Sequence, residues 1–285
     1  MSHDPIVQQQ SYGKSQVRVS RIHRRGDLHE FIELTVSIAL DGDFKPSFSA
    51  ADNSKIVATD TMKNTVYVLV GRFGIPSVEV FAQRLGRHFL DTYAHIDWVT
   101  IDCQEHPRTR ITFAGKPHEH AFLGGSCERY TCRFTAHRNG ETGMTAGLSG
   151  LQVLKTTGSG FEKFLRDQYT TLPETADRIF ATSISATWPC VNLAADWSGA
   201  RQSVRAALLD VFANQYSKSV QHTLYEMARA AFAACSLIDS IEIRMPNQHH
   251  LPVNLEPFGL KNANEVFVPT SEPFGDISAT ICRGE

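Results

Sequence analysis

An order of elements that occurs twice constrains this chain more than any single motif. Between Ser15 and Arg24 the apolar residues Val17, Val19 and Ile22 stand among polar ones, and Leu28 to Leu40 is rich in β-branched residues. Two strands able to pair as a hairpin are expected. Ser77 to Tyr93 follows Pro76 and spaces Val78, Phe81, Leu85 and Phe89 three and four apart, which is one apolar face of a helix. The strand-like DWVTIDC, Asp97 to Cys103, comes next. The order then returns, with strands over Ala146 to Thr156 and Ile179 to Trp188 and a helix through Val204, Ala207, Leu208, Val211 and Phe212. A further helix runs from Ser219 through Met227 to Ala234, and strands follow at Ile241 to Met245 and Glu265 to Val268. This predicts an internal duplication with little sequence identity. It divides where Arg138, Asn139 and Gly140 supply turn chemistry, giving domains 1–139 and 140–285.

Two antiparallel sheets, each with helices on one face, make an α+β chain. Such sheets have open edges and an uncovered face, and closing a barrel across subunits protects both, so an oligomer is expected. The 285 residues leave room for two units of roughly 140. A net charge of −2, from 28 basic and 30 acidic side chains, offers no electrostatic footprint for nucleic acid or an anionic membrane. Any ligand must be held by local groups.

The opening residues MSHDPIVQQQS are polar and lack an apolar signal region, and no run of about 18 apolar residues suggests a membrane span. The final ICRGE is not a peroxisomal address of the Ser-Lys-Leu type, so a cytoplasmic location is expected. The six cysteines are scattered without zinc-type pairing and read as reduced thiols.

The stretch VATDTMKNTVY, Val57 to Tyr67, has no glycines to cradle phosphate and no cysteine or histidine for a metal. Together with Tyr12-Gly13-Lys14 it forms one of three patches that make the chain resemble the urate oxidases, the cofactor-independent uricase family. The second patch is LQVLKTTGSGFEKFLRDQYTTLPETADR, Leu151 to Arg178. The third is MPNQHH, Met245 to His250, followed by NEVF; Ser219-Val220-Gln221 also matches. The resemblance implies two tandem tunnelling-fold domains that close into barrels on oligomerisation. It implies a homotetramer with active sites at subunit interfaces, and conversion of urate, O2 and water to 5-hydroxyisourate and peroxide. No cofactor is implied, O2 being a co-substrate.

Within that resemblance Arg178 and Gln221 match the clamp on the purine edge, a guanidinium fork and an amide that both donates and accepts. Phe161 matches the aromatic on which the ring stacks. The main chain at Val220 and around Thr59 and Asp60 completes the plane. Lys14, Thr59 and His249 match the groups that move protons, and desolvation can lower a lysine's pKa far enough for it to serve as a base. Asn247, with the Thr59 hydroxyl, matches the holder of oxygen and later water. Thr59 and Asp60 reach the site from a different subunit than Arg178 and Gln221.

Gln248 departs from the pattern, since the family commonly has lysine there. Each residue taken alone also has a plain structural reading: Lys14 as a surface lysine, Thr59 as a helix cap with Asp60 favouring the dipole, Phe161 as core, Arg178 as a solvated strand residue. His118-Glu119-His120 can present two imidazoles to one metal, although sequence spacing offers no third ligand nearby. Gly158 and Gly160 do not form a phosphate loop. Two other readings stand at this level: another tunnelling-fold enzyme acting on a purine or pterin ring, often with zinc, and a catalytically impaired urate-binding oligomer.

Overall fold

The computed structural model describes residues 5–284, so the first four residues of the polar N-terminal stretch and the last residue of ICRGE lie outside the described part. Contacts divide the chain into two compact units. The first runs to Gly147 and takes back Pro189–Ser198; the second comprises Leu148–Trp188 and everything from Gly199.

In the first unit β1 (Tyr12–Arg25) and β2 (Leu28–Gly42) form a hairpin, followed by the short helix α1 (Lys45–Ser49) and two longer ones, α2 (Thr59–Phe73) and α3 (Val78–Thr92). Next come β3 (Ile96–Glu105), a small separate hairpin of β4 (Thr109–Phe113) and β5 (Lys116–Leu123), then β6 (Arg129–His137) and β7 (Thr142–Lys155). The sheet order is β1-β2-β3-β6-β7, with the first half of β7 in this unit. The Arg138-Asn139-Gly140 turn closes the β6–β7 hairpin. Alternation on β2 turns Leu34, Val36, Ile38 and Leu40 inward, and α3 covers β3 and β6 with Phe81, Leu85 and Phe89. Gly86 lets that helix sit close, because a Cβ there would lie 2.7 Å from the Phe134 ring. Helix α2 packs on β1.

In the second unit the last half of β7 is followed by β8 (Phe180–Pro189), α4 (Trp197–Asn214), α5 (Val220–Ala234) and β9 (Ser240–Arg244). Short strands β10 (Asn247–Gln248), β11 (His250–Pro252) and β12 (Phe267–Pro269) precede β13 (Ser278–Cys282). The order here is β7-β8-β9-β13, with β10 also paired to β8. Ile184, Ala186, Trp188, Leu208, Leu224, Met227, Ile241 and Ile243 are buried between sheet and helices.

The structure is α+β with antiparallel sheets, as the periodicity predicts. Helix α2 is the main element that periodicity does not bring out. Its inward residues Met62, Val66, Leu69 and Val70 do fall at helical spacing, but the exposed Tyr67, Val68 and Phe73 blur that stripe in the sequence. The strand order runs through β7 from one unit into the other and ends on β1 and on β13, and among the described residues the single chain forms no closed barrel. The six cysteines are free thiols. Among the described residues no helix is long and apolar enough to cross a membrane.

Candidate active site

The first unit contributes Lys14, Thr59 and Asp60. Gly13 can only be glycine, since a Cβ there would sit 1.8 Å from the Ile38 carbonyl oxygen. Just after it β1 bulges: Lys14 pairs with Ile38, yet the next ladder pair is Val17 with Val36. Residues paired across a ladder share a face, so Lys14 lies on the face that buries Ile38, Val36 and Val17. Lys14 itself is half-buried.

Tyr12, two residues earlier, sets the other half of this patch. Its phenol oxygen accepts the Val57 N–H at 2.8 Å and its ring meets Phe44 edge-on at 4.7 Å, which ties the approach to Thr59 onto β1. Burial pushes the phenol's pKa above its ordinary value. The sequence marks Tyr12 only as a motif residue; its anchoring role shows once the strand face is known.

Thr59 is the first residue of α2, and Ala58 rather than Thr59 is the cap. The Thr59 side chain is therefore not consumed in capping, and the first N–H groups of the helix point outward without intrahelical partners. Asp60 is exposed, and its carboxylate is occupied by Lys63 and by Asn64 at 2.9 Å. The hydrogen bond from Lys63, and then its charge, hold the Asp60 carboxyl below the usual range, with Asn64 and Lys14 adding to the effect. The free groups of Thr59-Asp60 are thus the Thr59 hydroxyl and main-chain donors at a helix N-terminus, which favours an anion.

The second unit contributes a pocket of about 300 Å³ whose walls include Phe161, Arg178, Asn247 and His249. The Arg178 guanidinium lies over the Phe161 ring at 5.4 Å. Its Nε is buried with no hydrogen-bond partner, and burial pushes its pKa below the ordinary arginine value, an effect that Tyr216 opposes. A buried guanidinium with an unspent donor suits an anion with a flat acceptor edge. Asn247 pairs with Thr182 in the sheet and donates its N–H to the Gly275 carbonyl at 2.8 Å. Its amide nitrogen stands 3.5 Å from His249 Nδ1, and the His249 carbonyl is fixed by the Thr270 N–H at 2.9 Å. Gln248 is in β10 opposite Ala181 and also reaches this wall.

Val220 and Gln221 open helix α5 and are not part of that wall. Ser219 caps the helix by accepting the His222 N–H at 3.1 Å. Val220 is buried and Gln221 exposed, so the amide side chain faces outward.

His118, Glu119 and His120 on β5 have ligand atoms within 4.8 Å of one another. No third ligand is evident from the sequence; in the structure a Glu119 carboxylate oxygen lies within that same distance, and the His29 ring stands 5.8 Å from that of His120.

Fold and site together define an enzyme-like α+β scaffold of two antiparallel-sheet units, the second of which holds a pocket lined by a buried guanidinium and an aromatic ring. The sequence profile of the uricases matches residues 10–134 and 144–278. The chain belongs to the uricase family. It is 42% identical to the uricase of Arthrobacter globiformis, over 98% of this chain and 90% of that one. With the Arabidopsis thaliana uricase it shares 41%, over 98% and 97% of the two chains. The crystal structure of the A. globiformis uricase superposes with a TM-score of 0.90 at 41% identity, covering 99% of this chain and 96% of that one. A Bacillus urate oxidase shares the fold at a TM-score of 0.85 and 23% identity, over 96% and 100%.

Proposed function

We infer that this chain is a urate oxidase, converting urate, O2 and water to 5-hydroxyisourate and hydrogen peroxide. The observation that carries the reading is the buried, unspent Nε of Arg178 beside the Phe161 ring in a pocket that also holds Asn247 and His249. Urate is a flat anion with acceptor atoms along its edge. Phe161 takes its face, and Arg178 takes that edge by charge-assisted hydrogen bonds.

Gln221 and the Val220 N–H complete the clamp, and a neighbouring chain brings Thr59 and Asp60 to it. The assembly is a homotetramer in which the open β1 and β13 edges continue into other copies as barrels. Lys14 is half-buried in the single chain, and packing against a second chain completes the desolvation a lysine base requires. Lys14 then takes a proton from Thr59, which relays one from urate, and His249 belongs to the same relay. The urate dianion reduces dioxygen without metal or flavin. Asn247 and Thr59 hold oxygen and then water above the ring; water adds to the oxidised purine carbon and peroxide leaves.

Purified protein mixed with urate is expected to lose the urate absorption band, consume oxygen and release peroxide at equal rates with and without a chelator. Activity that vanishes on metal removal and returns with one metal would overturn the cofactor-free reading and move attention to His118-Glu119-His120.

A further inference from the structure

Phe161 and Arg178 stand on two irregular segments, 157–161 and 175–178, rather than on a helix or long strand. Their positions depend on how those segments are held. Phe161 and Thr175 exchange backbone hydrogen bonds of 2.8 and 3.1 Å, and the Arg178 N–H donates to the Ser159 carbonyl at 2.8 Å. The Gly160 N–H donates to Ser217 at 2.8 Å and the Ser217 N–H to Gly158 at 2.9 Å, which attaches the same segment to the chain entering Ser219 and Gln221.

At Gly160 there is no room for a side chain, since a Cβ would lie 2.3 Å from the Tyr216 hydroxyl. That hydroxyl donates to the Ala176 carbonyl at 2.7 Å. One carboxylate then joins the two segments. Asp177 Oδ1 accepts both the Thr157 hydroxyl, at 2.9 Å, and the Gly158 N–H, at 3.0 Å, across a turn that needs glycine because φ at Gly158 is 73°.

We propose that Asp177 is the positioning residue of the purine clamp: its Oδ1 fixes the Gly158 turn against the segment that carries Arg178, and so sets Phe161 and Arg178 relative to each other. The proposal rests on the urate reading for its ligand. Asp177 acts here as a hydrogen-bond acceptor rather than as a charge, because both bonds end on one oxygen that an asparagine also possesses. Misplacing the clamp weakens ground state and transition state alike, so the loss should appear in KM.

Wild type, Asp177→Ala and Asp177→Asn are compared by xanthine affinity, urate kcat and KM, and amide hydrogen exchange over 157–161 and 175–178. The alanine variant is expected to bind xanthine about tenfold more weakly and to raise KM by a similar factor, with kcat little changed and exchange protection lost in both segments. The asparagine variant is expected to match wild type in protection and to bind no more weakly. An alanine variant with wild-type affinity and protection, or an asparagine variant as impaired as alanine, overturns the proposal. If alanine does not fold, Thr157→Val removes one of the two donors and should give a smaller loss of both affinity and protection; no change in either overturns the proposal equally. A wild-type protein that ignores xanthine and urate refutes the urate reading, and the exchange measurement still decides whether Asp177 joins the segments.

Discussion

Helices α3 and α5 begin with nearly the same residues, Ser77-Val78-Glu79 and Ser219-Val220-Gln221, and are 15 residues long in both units. Each serine accepts the N–H three residues on, at 3.2 and 3.1 Å, and each helix ends in an extended residue, Tyr93 or Cys235. The inward positions correspond as well: Phe81 with Thr223, Ala82 with Leu224, Leu85 with Met227 and Phe89 with Ala231 are all buried. The second helical residue breaks the likeness, since Glu79 is 1% exposed while Gln221 lies on the surface. The two helices therefore share what a helix needs, a cap and an apolar stripe, and differ at one position in the first turn. The same division holds more widely. The second unit holds a pocket lined by Phe161, Arg178, Asn247 and His249, whereas the first carries Lys14 and Thr59, which the proposed function assigns to proton transfer.

The hardest test of that division is Lys14→Met, which keeps much of the side chain's length and packing but deletes the amine. Urate turnover should fall by about 10²- to 10⁴-fold while xanthine affinity stays near wild type. Thr59→Ala should behave likewise, and the double variant should be little worse than either single one if the two form one relay. Multiplicative losses in stopped assays would mean that they act separately.

Arg178→Ala should do the reverse, costing about 1.5 to 3 kcal/mol of xanthine binding through the loss of charge-assisted bonds. Wild-type affinity in a calorimetric titration would remove Arg178 from the clamp. The twin caps give a smaller and sharper comparison. Ser77→Ala and Ser219→Ala should each lower stability by about 1 kcal/mol in denaturant melts, but only the second should weaken xanthine binding. Equal effects on binding would contradict the specialisation of α5.

The mildest effect concerns pH and belongs to the first unit. Burial, above all, holds the His88 and His106 pKa values below the ordinary 6.5, opposed at His88 by Asp91, and His106 Nε2 also lies 2.7 Å from the Thr35 hydroxyl. Between the depressed folded pKa and 6.5 the unfolded chain binds more protons than the folded one, so these groups' contribution is full above 6.5 and lost as pH falls through that window. Thermal melts on either side of 6.5 should show the decline, and His88→Gln with His106→Gln should flatten it.

Much of this was legible in the sequence because it follows from period and punctuation. Val78, Phe81, Leu85 and Phe89 define α3 without any tertiary information, and they are fully buried in the fold. The α5 helix and the strands on both sides follow in the same way. Arg178, Phe161, Asn247 and His249 were named through family spacing, and they line one pocket. Sequence could not show that Asp60 spends its carboxylate on Lys63 and Asn64, or that Ala58 takes the cap position from Thr59. Those outcomes depend on where α2 begins, and helix starts are set by backbone geometry rather than by composition. The straps around Gly158 and Gly160 were equally hidden, because they are held by main-chain bonds between residues distant in sequence.

The bulge in β1 turns a matter of identity into one of counting. Stepping by twos from Val17 reaches Ser15 and Gly13, so in an unbroken strand Lys14 would belong to the opposite face from Val17. One additional residue on β1 between the Lys14–Ile38 and Val17–Val36 pairs reverses that parity. A single deletion between Lys14 and Val17 would close the bulge and leave two steps on each strand, so Lys14 would still pair with Ile38 on the face of the valine. The extra residue therefore decides how the strand bends beside the amine, and the amine keeps its side of the sheet with or without it.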